Sequence, residues 1–187
     1  MTEIFIVAFI ILALHLYRQY WAHRALSQIH FGSFDESLGD IYTVEDTVIA
    51  IQHAKTQSDK TVICFPGFTE DARYFQDTYK DCEDTVIFMG NAGYHSPFRL
   101  DNAKSLNWPE NPFKMGTISH DAFWVGQTIK SLVKSRNVVI HGHSRGGAVG
   151  LETGRQFPET TQSSVSLILE AAVVPKGKAA GPMASKV

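Results

Sequence analysis

The stretch NVVIHGHSRGGAVGLETGR, Asn137 to Arg155, decides how this chain folds. It enters through Val138, Val139 and Ile140, a short apolar, β-branched run of the kind found in buried strands. It leaves through Gly146, Gly147 and Ala148 into a helix-compatible segment ending near Arg155. Between the two lies Gly142-His143-Ser144-Arg145-Gly146, a G-x-S-x-G pattern. A sharp strand-to-helix turn presents its serine oxygen above the sheet. Gly142 and Gly146 suit such a turn, because the backbone is strained there and passes close to its neighbours. The small residues Gly147 and Ala148 let the following helix lie near the sheet, with the positive end of its dipole directed at the turn.

A serine hydroxyl is a weak nucleophile at neutral pH. It needs a base within hydrogen-bond reach and donors that stabilise an oxyanion. Ser144 is the candidate nucleophile. His143, inside the turn, reads as a packing and orienting residue rather than as the base. One oxyanion donor is the backbone N–H after the nucleophile, on Arg145. The second comes from the loop after an upstream strand, TVICFPGF (Thr61 to Phe68), and is assigned to the Phe68 N–H.

Working outward from the turn, strands and helices alternate. DIYTVEDTVIAIQHA (Asp40 to Ala54) reads as two short strands joined at Glu45-Asp46, and TVICFPGF as a buried parallel strand stopped by Pro-Gly. Thr69 is the expected cap of a helix over EDARYFQDTYKD. TVIFMG (Thr85 to Gly90) is the next buried strand, and Phe98 to Thr117 reads as one long irregular loop. A helix over SHDAFWVGQTIKSLVKSR is expected to be capped by Ser119. The strand at Asn137, its helix and a last strand, SVSLILEAAVV (Ser164 to Val174), complete the order β-β-β-α-β-loop-α-β-α-β. That alternation predicts an α/β fold: a mostly parallel sheet between two helical layers, joined by right-handed crossovers. The tail from Pro175 to Val187 reads as disordered.

The totals are those of a globular protein. Of 187 residues, 44% are apolar and 19% charged, with a net charge of −2 and no clustered basic stripe, which argues against a nucleic-acid partner. Cys64 and Cys82 form no metal-binding spacing, and Cys64 is expected to be a buried free thiol. At the N-terminus, Ile4 to Tyr17 is apolar apart from His15, and no charge separates Glu3 from Arg18. The run is shorter than the roughly 20 residues of a full span. Tyr20 and Trp21 would suit a membrane interface, and the bulky flank with its Met-Thr-Glu start disfavours a cleaved signal peptide. Residues 1–25 are therefore expected to be a hydrophobic anchor helix, ahead of a domain over residues 26–187. Arg18 and Arg24 follow the run with no basic residue before it, which would place that domain in the cytoplasm.

Four segments carry a resemblance to the α/β-hydrolase superfamily: VEDTVIAIQ, TVICFPGF, NAGYHS and GHSRGG. The resemblance covers Asp40 to Val174. Superfamily members often carry His-Gly where this chain has Pro66-Gly67, and Arg-Gly-x-Gly-x-Ser where it has Ala92-Gly93-Tyr94-His95-Ser96. The resemblance implies hydrolysis of small-molecule esters, thioesters or amides through an acyl-enzyme, with no metal or organic cofactor. The anchor and the long loop are compatible with a lipid-like acyl substrate.

The superfamily orders its triad serine, acid, histidine. Here His15, His23, His30, His53, His95, His120, His141 and His143 all precede Ser144, and no aspartate follows it. Glu170, near the end of the last strand, is the candidate acid. These features, with a sheet lacking its last strands, give the expectation of a C-terminally truncated hydrolase domain. A non-catalytic, membrane-tethered interaction protein that keeps the turn as scaffold, an inactive fragment, and an acyltransferase or haloperoxidase of the same fold are the competing readings.

Overall fold

The computed structural model describes residues 2–27, 39–94, 96–161 and 165–173, with the side chains of 6–24 in the first helix. The chain divides into two compact units, Met1–Gly32 and Ser33–Val187.

The first unit is one helix, α1 (Thr2–Ser27). Among the described residues, no helix is long and apolar enough to cross a membrane. This corrects the expected membrane anchor, and the cytoplasmic placement drawn from its flanking charges loses its basis with it. The physical reason is length and polarity. Ile4 to Tyr17 rises about 21 Å as a helix, against a hydrocarbon core of about 30 Å. Continuing the helix brings in Arg18, Gln19, His23 and Arg24.

The second unit is built on a seven-stranded sheet. Its strands are β1 (Gly39–Val44), β2 (Thr47–Gln52), β3 (Lys60–Phe65), β4 (Thr85–Met89), β5 (Lys104–Ser105), β6 (Asn137–His143) and β7 (Val165–Glu170), in the order β5-β1-β2-β4-β3-β6-β7. β1 pairs antiparallel with β2, and β2 with β4. The β4-β3-β6-β7 half and the β1-β5 pair are parallel. The helices are α2 (Arg73–Tyr79), α3 (Ile118–Ser131), α4 (Arg145–Gln156) and α5 (Pro158–Thr161).

The continuous apolar run of β3 follows from helices on both faces. Successive side chains of a strand alternate between faces. Ile63 and Phe65 pack with Trp124, Val125 and Val149 of α3 and α4, while Val62 and Cys64 pack with Ala72 and Phe75 beside α2. Cys64 is a fully buried free cysteine, as expected, and burial pushes its thiol up.

After β3 the chain moves outward to β4, then crosses back to form β6 on the other side of β3. The strand order therefore reverses at β3. In open α/β sheets, ligands bind in the crevice outside the carboxyl ends at such a point. Phe65-Pro66-Gly67 and His143-Ser144 lie at that edge, since Phe65 registers with Gly142.

Three local expectations change. α2 begins at Arg73 rather than at Thr69, which has φ of 68°. Glu70 turns back to the loop and to His143, and Asp71 binds Arg73, so neither acid opens a helical turn. α3 is capped by Thr117, whose hydroxyl accepts from the His120 N–H at 3.2 Å, while Ser119 donates to Glu152. Within the loop from Phe98 to Thr117, Lys104–Ser105 form β5 on the β1 edge. The tail expected to be disordered lies outside the described residues.

Candidate active site

Ser144 occupies the single residue between β6 and α4, at φ 50° and ψ −112°. This is a positive-φ conformation that L side chains disfavour by about 1–3 kcal/mol. Three backbone bonds hold it there: Ser144 N–H donates to the Glu170 carbonyl at 2.8 Å, and the Ser144 carbonyl accepts from the Gly147 N–H at 3.1 Å and the Val173 N–H at 3.0 Å. The end of β7 thus clamps the turn. The flanking glycines answer to space. A Cβ on Gly142 would overlap the Gly146 carbonyl, and one on Gly146 would overlap the Phe65 carbonyl.

The structure brings the loop after β3 against this turn. A Cβ on Gly67 would lie 3.1 Å from Ser144 Cβ and 2.7 Å from Glu70 Oε2. Gly67 is fixed at both ends. Its N–H donates to Glu70 Oε2 at 2.8 Å, and its carbonyl accepts from Asn91 Nδ2 at 2.9 Å. Among the described residues, the Phe68 and Arg145 backbone N–H groups have no hydrogen-bond partner. Arg145 is the first residue of α4, where N–H groups have no intrahelical acceptor. The Phe68 ring is exposed and meets Tyr94 edge-on, with centroids 6.2 Å apart.

Beneath the turn, the Arg145 guanidinium donates to Asp121 Oδ2 at 2.6 Å, to Asn91 Oδ1, and to the Gly116 carbonyl at 3.3 Å. Asp121 is only 1% exposed. Removing one partner of such a buried pair typically costs about 3–5 kcal/mol, because the other charge is left uncompensated.

The histidines nearest the turn are engaged elsewhere. His143 Nδ1 lies 2.7 Å from Glu70 Oε2, and its ring stacks on Tyr74 at 4.4 Å. One ring nitrogen and one ring face of His143 are thus already engaged. His141 Nδ1 meets the Tyr79 hydroxyl at 2.8 Å, and its Nε2 lies 3.2 Å from Glu170 Oε2. Burial pushes His141 down, while Glu170 opposes that shift. Glu170, the candidate acid, also accepts from Tyr74 Oη at 2.8 Å. That bond holds its carboxyl below the usual range and pushes the Tyr74 phenol up to about 12. Glu170 is therefore bonded to a tyrosine and to a histidine that precedes Ser144. Buried His120 lies beside Asp121, and His95 is outside the described residues. Among the described residues, no group of three or more His, Cys, Asp or Glu side chains could hold a metal ion.

Glu70, Tyr74, Asn91 and Asp121 were not singled out by sequence. Asp121 carried the clearest available signal: an acid within the apolar repeat of Ala122, Val125 and Ile129, on a helix whose inner face is buried. Asn91, directly after a buried strand, carried a weaker one.

No family model and no curated protein matches the sequence. Solved structures do match the fold. One is the N-acyl homoserine lactonase AidH complexed with N-hexanoyl homoserine, at 16% identity and a TM-score of 0.53, covering 77% of this chain and 50% of that one. A bacterial membrane phospholipase A matches at 17% identity and a TM-score of 0.53, covering 95% and 55%. A CIB-like hydrolase from Thermoplasma acidophilum matches at 18% identity and a TM-score of 0.50, covering 74% and 64%. The chain has the α/β-hydrolase fold. It spans about half the length of the solved structures it matches.

Proposed function

We propose that this chain forms part of a serine hydrolase that cleaves carboxylic esters or related acyl substrates through an acyl-enzyme on Ser144. The observation that carries this reading is the positive-φ Ser144 at the reversal point of the sheet, beside Gly67. Phe68 and Arg145 N–H would stabilise the oxyanion, and Gly142 and Gly146 make room for the turn. Esterification of Ser144 releases the alcohol or thiol, and water then releases the acid. Glu170 remains the candidate acid of the pair that activates Ser144. The histidine of that pair has no candidate after Ser144 in this sequence. The acylated ligand in the AidH structure supports an acyl substrate by analogy of fold.

The test is turnover of p-nitrophenyl acetate and butyrate by the protein expressed from its own gene, beside Ser144→Ala. The reading expects a burst of p-nitrophenol matching the amount of protein, lost in the variant. Equal release from both proteins would overturn it. One observation favours a second reading: His141 and His143, the histidines nearest Ser144, are held by Tyr79, Glu170 and Glu70. A non-catalytic, α/β-hydrolase-like interaction protein would show the same turn and no burst.

A further inference from the structure

We propose that Asn91 is a positioning residue of the oxyanion hole. Its carboxamide sets the direction of the Phe68 N–H and links it to Arg145. The inference rests on the reading of Ser144 as nucleophile, with Phe68 and Arg145 as donors.

Asn91 lies just past the carboxyl end of β4 and is 5% exposed. Its Nδ2 donates to the Gly67 carbonyl at 2.9 Å, and its Oδ1 accepts from Arg145 Nη1. The network permits only this orientation of the amide. Turned over, it would set its NH2 against a guanidinium and its oxygen against a carbonyl. The Gly67–Phe68 peptide is planar and trans, so its C=O and N–H point in opposite directions. Anchoring the Gly67 carbonyl on Asn91 therefore turns the Phe68 N–H to the side away from Asn91, where among the described residues it has no partner. The preceding peptide is fixed as well, because Gly67 N–H donates to Glu70 Oε2 at 2.8 Å.

The other end of the carboxamide reaches the second donor. Arg145 supplies its backbone N–H at the start of α4, while its side chain is gripped by Asn91, Asp121 and the Gly116 carbonyl. One buried side chain thus joins the loop after β3 to the first residue of α4. Donors fixed in advance need no reorganisation as charge develops, and loss of one such donor commonly costs about 100- to 1000-fold in rate. Without Asn91 Nδ2, the Gly67–Phe68 plane loses the shorter of the two bonds on its carbonyl, and only the Glu70 N–H, at 3.4 Å, still holds it.

Asn91→Asp separates this role from space-filling. It keeps the shape and the acceptor for Arg145, but it sets a carboxylate oxygen against the Gly67 carbonyl. Asn91→Ala removes both bonds and serves if the aspartate variant does not fold. The measurement is labelling of Ser144 by an ethoxy fluorophosphonate, resolved into the maximal rate and the half-saturating concentration, alongside the Phe68 amide resonance in 1H–15N spectra. Expected is a maximal rate about 100-fold lower, an unchanged half-saturating concentration, and a shifted Phe68 resonance with β3 and β6 resonances in place. A wild-type maximal rate, or a loss carried by the half-saturating concentration, overturns the role. If wild-type protein is not labelled at Ser144, the nucleophile reading fails. The Phe68 resonance then decides the positioning claim, which is overturned if Asn91→Asp leaves it unmoved.

Discussion

At φ 50° and ψ −112°, Ser144 holds a conformation that glycine adopts without strain and serine does not. Ser144→Gly should therefore raise stability by about 1 kcal/mol in urea unfolding while abolishing fluorophosphonate labelling. A variant that is less stable would show that the turn is not strained. Gly146→Ala tests the space requirement. Its Cβ would meet the Phe65 carbonyl, a backbone atom that cannot swing aside. We expect a loss of about 1–3 kcal/mol, with labelling lost in parallel. At this scale the sequence was most informative about Ser144 and its glycines, because their constraint is local and leaves a local pattern. Glu70 and Asn91 left little trace. Their partners, His143 and Arg145, lie 73 and 54 residues away along the chain.

The helices show where local signals mislead and where they hold. Ser119 and Thr117 are both acceptable caps by residue type. The structure chooses Thr117 because Ser119 is needed at the α3–α4 contact, where its hydroxyl donates to Glu152 Oε1 at 2.9 Å. Glu152 also receives Arg155 and Gln156, and the Arg155 bonds are the main reason its carboxyl is held at about 2 rather than the usual 4.5. A depressed carboxyl contributes stability above its unfolded pKa and loses it as pH falls through the folded one. Glu152→Gln should thus lower the urea midpoint at pH 7, and the deficit should shrink as pH falls from 4.5 to about 2. A deficit constant over that range would mean that the carboxylate charge contributes nothing.

Across the second unit, β3 and β6 are flanked on both sides and carry residues fully buried from solvent, whereas β5 and β7 form the edges. Amide exchange should follow that order. β3 and β6 amides should open only with global unfolding and β7 amides by local fluctuation, and equal protection across the sheet would contradict the topology. The alternation of strands and helices was legible in the sequence, since buried runs and turn residues are local. The strand order was not, because it depends on which side of β3 each crossover returns to. The opening apolar run reads as a span by composition alone, while its length and the polar residues that follow it set the outcome described above. All of these elements converge on one serine, so the most direct measurement is intact-mass and peptide mapping after treatment with an ethoxy fluorophosphonate. One adduct is expected, on the peptide carrying Ser144, absent from folded Ser144→Ala. No adduct on the natively folded protein, or the same adduct on the variant, would contradict Ser144 as the nucleophile.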